Sequence, residues 1–437
     1  MHHDLFNLIS FLNHNPALKL LISNMQQSDN HFWLVGGCLR NSLLDLPQVD
    51  IDIACSSDPT VLARAWSHEV SAHWFCLDVN RKQSRVLLPS GLTLDFSPLR
   101  SSSIIADLCL RDFTVNAMAL PVDTLSTNSL VLDPLDGLSH LHKKQLHCCS
   151  DRSFIDDPLR MLKGIRHAVT LDFELSNDTL KQIKASKQLL SNTAGERIRD
   201  ELSKIFNSDK SIEGVEVLID TGLLDVLFGA EGKCWNKGRA IREIDELDKK
   251  IHQVGLKKIY DLSVLKQTDS FSVRAIFLFS ELLKNYEPVK LSKLLHNRLR
   301  LSRQQQSLIK ELQLKPDLQS LSLLASVEGQ RRQALLAEKH GKFFIEKILY
   351  WGVCRNLVTL DRAIELHKSF THEQKRGRVP AMLNGKMISS LLGSDQDSQI
   401  GYWQEQLKLA EIKGEISTIL EAENWLKSKL SFDKKEA

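Results

Sequence analysis

The chain of 437 residues carries 57 lysines and arginines against 54 aspartates and glutamates, a formal net charge of +3, with 42% hydrophobic and 25% charged residues. This length favours two or more domains, the composition is that of an ordinary globular protein, and the charge is too mild to argue for nucleic acid by itself. No apolar run approaches the ~18 residues of a membrane span, and the eight cysteines, with no C-x-x-C pair, read as reduced thiols of a cytoplasmic protein.

In chain order, MHHDLFNLISFLNHNPALKLL is amphipathic with no basic start, and reads as a first helix rather than a signal peptide. HFWLVGG reads as a strand running into a glycine turn. VDIDIAC alternates polar and apolar residues, as a half-buried strand does. DPTVLARAWSHEV reads as a helix, with Ser57 or Asp58 placed to cap it and Pro59 in its first turn. RVLLPSGLTLDFSPL predicts two strands joined at PSG, and NSLVLDP predicts another. To about Val131, then, short strands mix with helices. From about Asp156 onward apolar residues recur at helical spacing, in DDPLRMLKGIRHAV, DELSKIFNSD, IEGVEVLIDTGLLDVLF and RQALLAEKHGKFFIEKILYWGV. The basic stretch Lys233 to Lys266 alternates with acids in EIDELD and reads as a solvated helical face, some of whose lysines could track a phosphate backbone. The fold class is α+β: a head with a small mixed sheet, followed by an all-helical remainder.

The segment LVGGCLRNSLLDLPQVDIDIAC concentrates the chemistry. Residues i and i+2 of a strand share a face, so Asp50 and Asp52 project together while Ile51 and Ile53 go to the other side. Two adjacent carboxylates repel, and a divalent cation between them relieves the repulsion. Magnesium takes carboxylates together with phosphate oxygens and water, so the pair suits a two-metal phosphoryl-transfer site. A bare D-x-D more often marks two solvated aspartates on an edge strand; Gly36 and Gly37 add the second signal. Glycines at a strand end let backbone approach a ligand, the following helix points amides at a phosphate, and Arg40 lies one turn in. Asp95, in LTLDFSPL, is a candidate third carboxylate on a strand expected beside the D-x-D strand.

Taken together, these motifs resemble the class II tRNA nucleotidyltransferase and bacterial poly(A) polymerase family. The G-G and D-x-D segment is similar to the family's first motif, LRDFTVNAMAL to its R-R-D-F-T motif, and LDPLDGLSHLHKKQLH to the segment closing the head. FIDDPLRMLKGIRHAV resembles its E-D-x-x-R motif, GERIRDELSKIF its E-R-I-x-x-E-L motif, and LNGKMISSLLG with QIGYWQEQLKLAEIKGEISTILEAENWL its tail. The resemblance covers nearly the whole chain in order. It implies a nucleotidyltransferase-fold head at residues 1–140, a base-reading neck at 141–206, a helical body at 207–330 and a tRNA-binding helical tail at 331–437. It implies addition of CMP, AMP or both to a tRNA 3′ end from CTP and ATP, with release of pyrophosphate. Asp50 and Asp52 would bind catalytic Mg2+ ions and orient the RNA 3′-hydroxyl.

In DDPLRML, Asp157 and Arg160 are three apart, neighbours if both lie on one helix. Asp157 could accept from the amino group that cytosine and adenine share, while Arg160 donates to the adjacent ring nitrogen. Uracil and guanine would put a carbonyl against Asp157. An i,i+3 surface ion pair is the alternative reading. Asp112 and Asn116 are placed to hydrogen-bond a ribose, with Arg111 and Arg166 near the phosphates; a capped helix start at Asp112 with a packed Asn116 is the plainer reading. Glu196 and Arg197 read as braces of the neck helix. HLHKKQLHCC has histidines and cysteines, but no spacing that matches a zinc site.

Three positions depart from the family pattern: Asn41 for aspartate, Leu110 for the first arginine of R-R-D-F-T, and Asp156 for glutamate. A larger departure lies between Phe96 and Arg111, where only SPLRSSSIIADLCL stands in place of a flexible basic loop. In the family, a missing loop goes with enzymes that add CC and leave the final A to a separate A-adding enzyme. The expectation is therefore a CC-adding enzyme; the alternatives are a full CCA- or A-adding enzyme, a poly(A) polymerase, or an RNA-binding protein without catalysis.

Overall fold

A computed structural model of the chain describes residues 6–48, 50–126, 129–228, 237–263, 270–284, 286–314, 329–374, 379–393 and 397–436. The first amphipathic stretch forms two helices rather than one, α1 (Phe6–His14) and α2 (Pro16–Gln26). Asn15 divides them: its side-chain oxygen accepts from Ala17 N and Leu18 N, and Pro16 occupies the first helical position, where a missing N–H costs no hydrogen bond.

Six strands follow: β1 (Phe32–Val35), β2 (Asp50–Cys55), β3 (His73–Asp78), β4 (Gln83–Leu87), β5 (Thr93–Pro98) and β6 (Ala119–Pro121). They form one sheet in the order β3-β4-β5-β2-β1-β6. β2 and β5 run parallel and the other neighbours antiparallel, the mixed sheet expected from the sequence. Gly91, at φ +88°, makes the PSG turn between β4 and β5. α3 (Gly37–Leu43) links β1 to β2, and α4 (Thr60–Glu69) follows β2. Asp58 accepts from Thr60 N at 3.0 Å, while Pro59 takes the cap position.

The alternation of each strand divides the sheet into two faces. Phe32, Leu34, Ile51, Ile53, Val86, Leu94 and Phe96 pack into one core with Leu12, Leu21 and Trp66 of the helices. The indole N–H of Trp66 donates to Ala17 O at 3.0 Å, joining α4 to α2. The opposite face carries Val35 and Ala54, packed with Ile104, Leu108, Ala117 and Ala119. Register sets one continuous row on this face: Arg85 opposite Asp95, Asp95 opposite Asp52, Asp52 opposite Val35, Val35 opposite Ala119.

NSLVLDP does not form a strand; among its described residues it gives a single bridge, Leu132 to Ala119. α5 (Ile104–Cys109) lies between β5 and β6; after the sheet come α6 (Gly137–His142), α7 (Ser153–Asp156), α8 (Arg160–Leu171), α9 (Asn177–Ser186), α10 (Gly195–Asn207), α11 (Ser211–Thr221) and α12 (Leu223–Phe228). The chain divides into two units, Met1–Cys234 and Trp235–Ala437. The described part of the second unit is helical, with long helices at Lys237–Val254, Leu360–Gln374, Asp397–Lys413 and Ile419–Glu436. RQALLAEKHGKFFIEKILYWGV, expected to be helical, is interrupted at Gly341–Phe343 and Ile348–Gly352 by tighter and wider turns. The basic stretch is helical over Lys237–Val254 and Leu256–Leu262; its two ends, including Lys233 and Lys266, lie outside the described residues. Among the described residues, no helix is long and apolar enough to cross a membrane.

Candidate functional site

β1 runs into Gly36, whose φ of +75° and ψ of −136° only glycine adopts readily. A β-carbon at this position would stand 2.7 Å from Asp52 Oδ2. Glycine here is therefore what lets the Asp52 carboxylate lie against the backbone of the turn. The Gly37 N–H hydrogen-bonds the same carboxylate. Burial lifts Asp52 above the usual carboxylate range; Arg111 and the Gly37 N–H oppose that shift, while Asp95 and Asp50 add to it. Beneath it, the Cys38 thiol is pushed up to about 12, first by burial and then by the charge of Asp52, so it is no nucleophile.

Asp50 is exposed at the start of β2 and accepts a hydrogen bond from the Thr93 hydroxyl. Asp95 lies directly beside Asp52 in the parallel pairing, as its strand was expected to place it. Its two oxygens accept from Arg85 Nε and a terminal guanidinium nitrogen, each at 2.7 Å. Among the described residues no group of three or more His, Cys, Asp or Glu side chains is arranged to hold a metal ion. The carboxylates without an arginine ion pair here are Asp50 and Asp52, held by the Thr93 hydroxyl and the Gly37 N–H, while Asp95 is turned to Arg85. Two carboxylates, one partly buried and crowded by like charge, fit a hard divalent cation that completes its shell with phosphate oxygens and water.

The segment between β5 and Arg111 is short and tightly built. Ser103 caps α5 by accepting from Ala106 N at 3.2 Å. Asp107, with its side chain 3% exposed, accepts from Arg100 N and Nε, both at 3.0 Å, and pairs with Arg111 at 3.2 Å. Leu110, in the place of an arginine, is exposed.

Asp112 precedes, and Asn116 ends, a short turn, Thr114–Asn116, rather than heading a longer helix. Asp112 Oδ1 accepts from Phe113 N at 2.8 Å and Asn116 Nδ2 at 3.1 Å, and Asn116 Oδ1 accepts from Arg40 at 2.5 Å. The rest of the Arg40 guanidinium donates to Asn41 Oδ1, at 3.2 and 2.7 Å. Burial and the charge of Arg166 bring Arg40 down to about 10. His167 is held neutral by burial, by Arg166 and by Arg40, and its Nε2 lies 3.0 Å from a terminal nitrogen of Arg166. Arg166 Nε donates to Glu201 at 2.7 Å. These residues bring two guanidiniums close together in a nearly buried place.

Asp157 and Arg160 do not share a helix. Pro158 disfavours helical backbone at the residue before it, and Asp157 is extended, with φ −147° and ψ 100°, between α7 and α8. Its Oδ2 pairs with Arg197 at 2.9 Å and its Oδ1 accepts from Leu159 N at 3.2 Å. Arg160 is buried and donates to Leu110 O at 2.8 Å, Arg111 O at 3.2 Å and Ser153 O at 3.3 Å. It thereby ties α8 to the segment that carries Arg111. In HLHKKQLHCC, His140 hydrogen-bonds the Thr114 hydroxyl at 2.9 Å and stacks on His147 with ring centres 3.9 Å apart.

Arg85, Arg100, Asp107, His167 and Glu201 were not found from the sequence. Arg85 could have been: hairpin pairing across PSG puts it opposite Asp95. Asp107 stands four residues before Arg111, the spacing of a helical ion pair. Glu201 meets Arg166 through packing of α8 on α10, for which the local sequence has no signal, whereas His167 is the next residue to Arg166 on α8.

Comparison with known proteins bears on the family and the fold. The family described as "Probable RNA and SrmB- binding site of polymerase A" matches residues 172–230. The chain is 30% identical over 436 residues to a CC-adding tRNA nucleotidyltransferase of Geobacter sulfurreducens, covering 98% of each. It is 32% identical over 235 residues to a CCA-adding enzyme of Limosilactobacillus reuteri, covering 49% of this chain and 55% of that one. Its fold is similar to that of the Thermotoga maritima CCA-adding enzyme complexed with tRNA, with a TM-score of 0.65 and 22% identity over 98% of both chains.

Proposed function

The chain belongs to the class II tRNA nucleotidyltransferase family, and from that premise we propose that it adds CMP from CTP to the tRNA 3′ end and stops at CC. Membership makes it an enzyme, an RNA nucleotidyltransferase that works without a nucleic-acid template. What supports the CC-only reading is the connection between β5 and Arg111. Twelve residues, Leu99 to Leu110, close it, with α5 capped and Arg100 clamped on Asp107. A compact, ion-paired connection has no slack with which to reshape a nucleotide pocket between addition of a pyrimidine and of a purine. The full-length likeness to a CC-adding relative points the same way.

The chain's own residues supply the rest of the reading. Asp50 and Asp52 would hold Mg2+, which when bound supplies Lewis-acid stabilisation of charge on the reacting phosphate oxygens. Gly36 lets the nucleotide phosphates approach backbone, and Arg40, Arg111 and Arg166 give that pocket positive charge. Asp112 and Asn116 form the hydrogen-bonding pair for the ribose. Asp157, at the break before α8, accepts from the cytosine amino group, and Arg160 donates from its remaining N–H groups. The division into head (1–140), neck (141–206), body (207–330) and tail (331–437) assigns the neck to base reading and the tail to tRNA; the final A would come from a separate enzyme that uses ATP.

The test is an extension assay on tRNA lacking its 3′ CCA end, with CTP and ATP given separately and together. The expected products are tRNA-C and tRNA-CC with CTP and no further growth with ATP. Efficient AMP addition after CC would reject the CC-only reading in favour of a full CCA-adding enzyme, and long A tracts on unrelated RNA would indicate a poly(A) polymerase.

A further inference from the structure

The connection before Arg111 contains a buried carboxylate that the roles above leave unused. Asp107 faces two guanidiniums: Arg100 on Oδ1 and Arg111 on Oδ2. Arg111 is itself mostly buried, and its Nε has no hydrogen-bond partner. Its Nη1 lies 3.4 Å from the point where a β-carbon on Gly36 would stand, and Asp52 Oδ2 lies 2.7 Å from the same point. Arg111 therefore reaches into the Gly36 turn beside Asp52, with unused donors, while its ion pair is made to Asp107. A buried guanidinium seeks a carboxylate, and removing one partner of such a pair leaves an uncompensated charge. Asp52 already interacts with Arg111 and is the carboxylate within its reach. An arginine released from Asp107 would close on Asp52 and compete there with a cation.

Resting on the nucleotidyl-transfer reading, we propose that Asp107 is a positioning residue: it holds Arg111 at the Gly36 turn with donors free for the triphosphate and keeps it off Asp52, so that the Asp50–Asp52 pair stays open to a divalent cation. The short connection thus has a task beyond closing a gap. It sets the charge balance at the carboxylate pair.

The experiment compares the full chain with Asp107→Asn, Asp107→Glu and the double variant Asp107→Asn/Arg111→Ala. Binding of Mn2+ is measured by electron paramagnetic resonance without nucleotide, CTP and tRNA kinetics by incorporation, and folding by thermal melting. Asp107→Asn is expected to weaken Mn2+ binding and raise the CTP KM, each roughly tenfold, the scale on which outer-shell partners act on a metal site, with the tRNA KM unchanged. The double variant recovers Mn2+ affinity because no guanidinium remains to close on Asp52, and Asp107→Glu falls between wild type and Asp107→Asn. A folded Asp107→Asn chain with wild-type Mn2+ affinity and CTP KM overturns the proposal. So does a Mn2+ defect that persists in the double variant, or a wild-type chain that binds no Mn2+. Should Asp107→Asn not fold, an unchanged Mn2+ affinity in Asp107→Glu overturns it. If the wild-type chain incorporates no CMP, the functional reading falls while the Mn2+ measurement still decides the role of Asp107.

Discussion

The Asp50–Asp52 edge and the Asp157–Arg160 break lie in the same N-terminal unit but are prepared for a ligand to different degrees. At the edge, backbone does the placing. Strand register aligns Asp52 with Asp95, and a bare glycine makes room for the carboxylate. The result is a crowd of like charge, in which Arg85 pairs with Asp95 and the charge of Arg111 favours ionised Asp52. At the break, side chains are already engaged: Asp157 with Arg197, Arg160 with three backbone carbonyls. The difference teaches that the backbone fixes where the carboxylate pair lies, while any ligand of Asp157 would have to displace a protein partner.

Four perturbations sharpen or break that contrast. The largest effect is expected from Asp50→Ala/Asp52→Ala: loss of a cation worth several kcal/mol lowers CMP incorporation by on the order of 1,000-fold or more. Binding of tRNA, read by filter retention, should stay near wild type; retained turnover would contradict the assignment of the pair. Next, Asp157→Asn should reduce the preference for CTP over UTP by roughly 10- to 100-fold, the scale on which a mismatched hydrogen-bonding site discriminates. Competition assays with both nucleotides give the ratio, and an unaltered ratio removes Asp157 from base reading.

A pH effect of intermediate size follows from Asp52. Its raised pKa means that it takes up a proton on acidification earlier than an ordinary carboxylate, and the protonated form cannot hold a cation. Activity is therefore lost as pH falls through that raised value and is full above it. Because a cation binds only the ionised form, raising Mg2+ should move the acid limb of kcat/KM to lower pH. An acid limb that ignores Mg2+ would place the titrating group elsewhere. The smallest effect is expected from Arg197→Ala. It frees Asp157 from a partly exposed pair worth about 0.2–1 kcal/mol, so the CTP KM should fall slightly; a clear rise would show that the pair presents Asp157 instead of occupying it.

How far the sequence reached depended on whether the signal was local. VDIDIAC showed its strand by alternation, while HFWLVGG, buried over most of its length, showed it as a short apolar run ending in glycines. β3 gave no such pattern, since Phe75, Leu77 and other residues of this edge strand are exposed on both sides. The i and i+2 placement of Asp50 and Asp52 needed only strand geometry. The helical neighbourhood of Asp157 and Arg160 failed because Pro158 extends the chain before it, a signal that stood in the sequence beside the motif. The partner of Asp95 was legible in principle, since hairpin pairing across PSG sets Arg85 opposite it; the partners of Asp157 and Arg166 were not, because each comes from another helix through tertiary packing.

The contrast between the two regions is tested most directly by a crystal structure of the full chain with CTP and Mg2+. The expected result keeps the β2 and β5 backbone and the Gly36 turn in place, with metal on Asp50 and Asp52, while Asp157 leaves Arg197 to meet the cytosine amino group. Metal held elsewhere, or a cytosine bound with the Asp157–Arg197 pair intact, would contradict it.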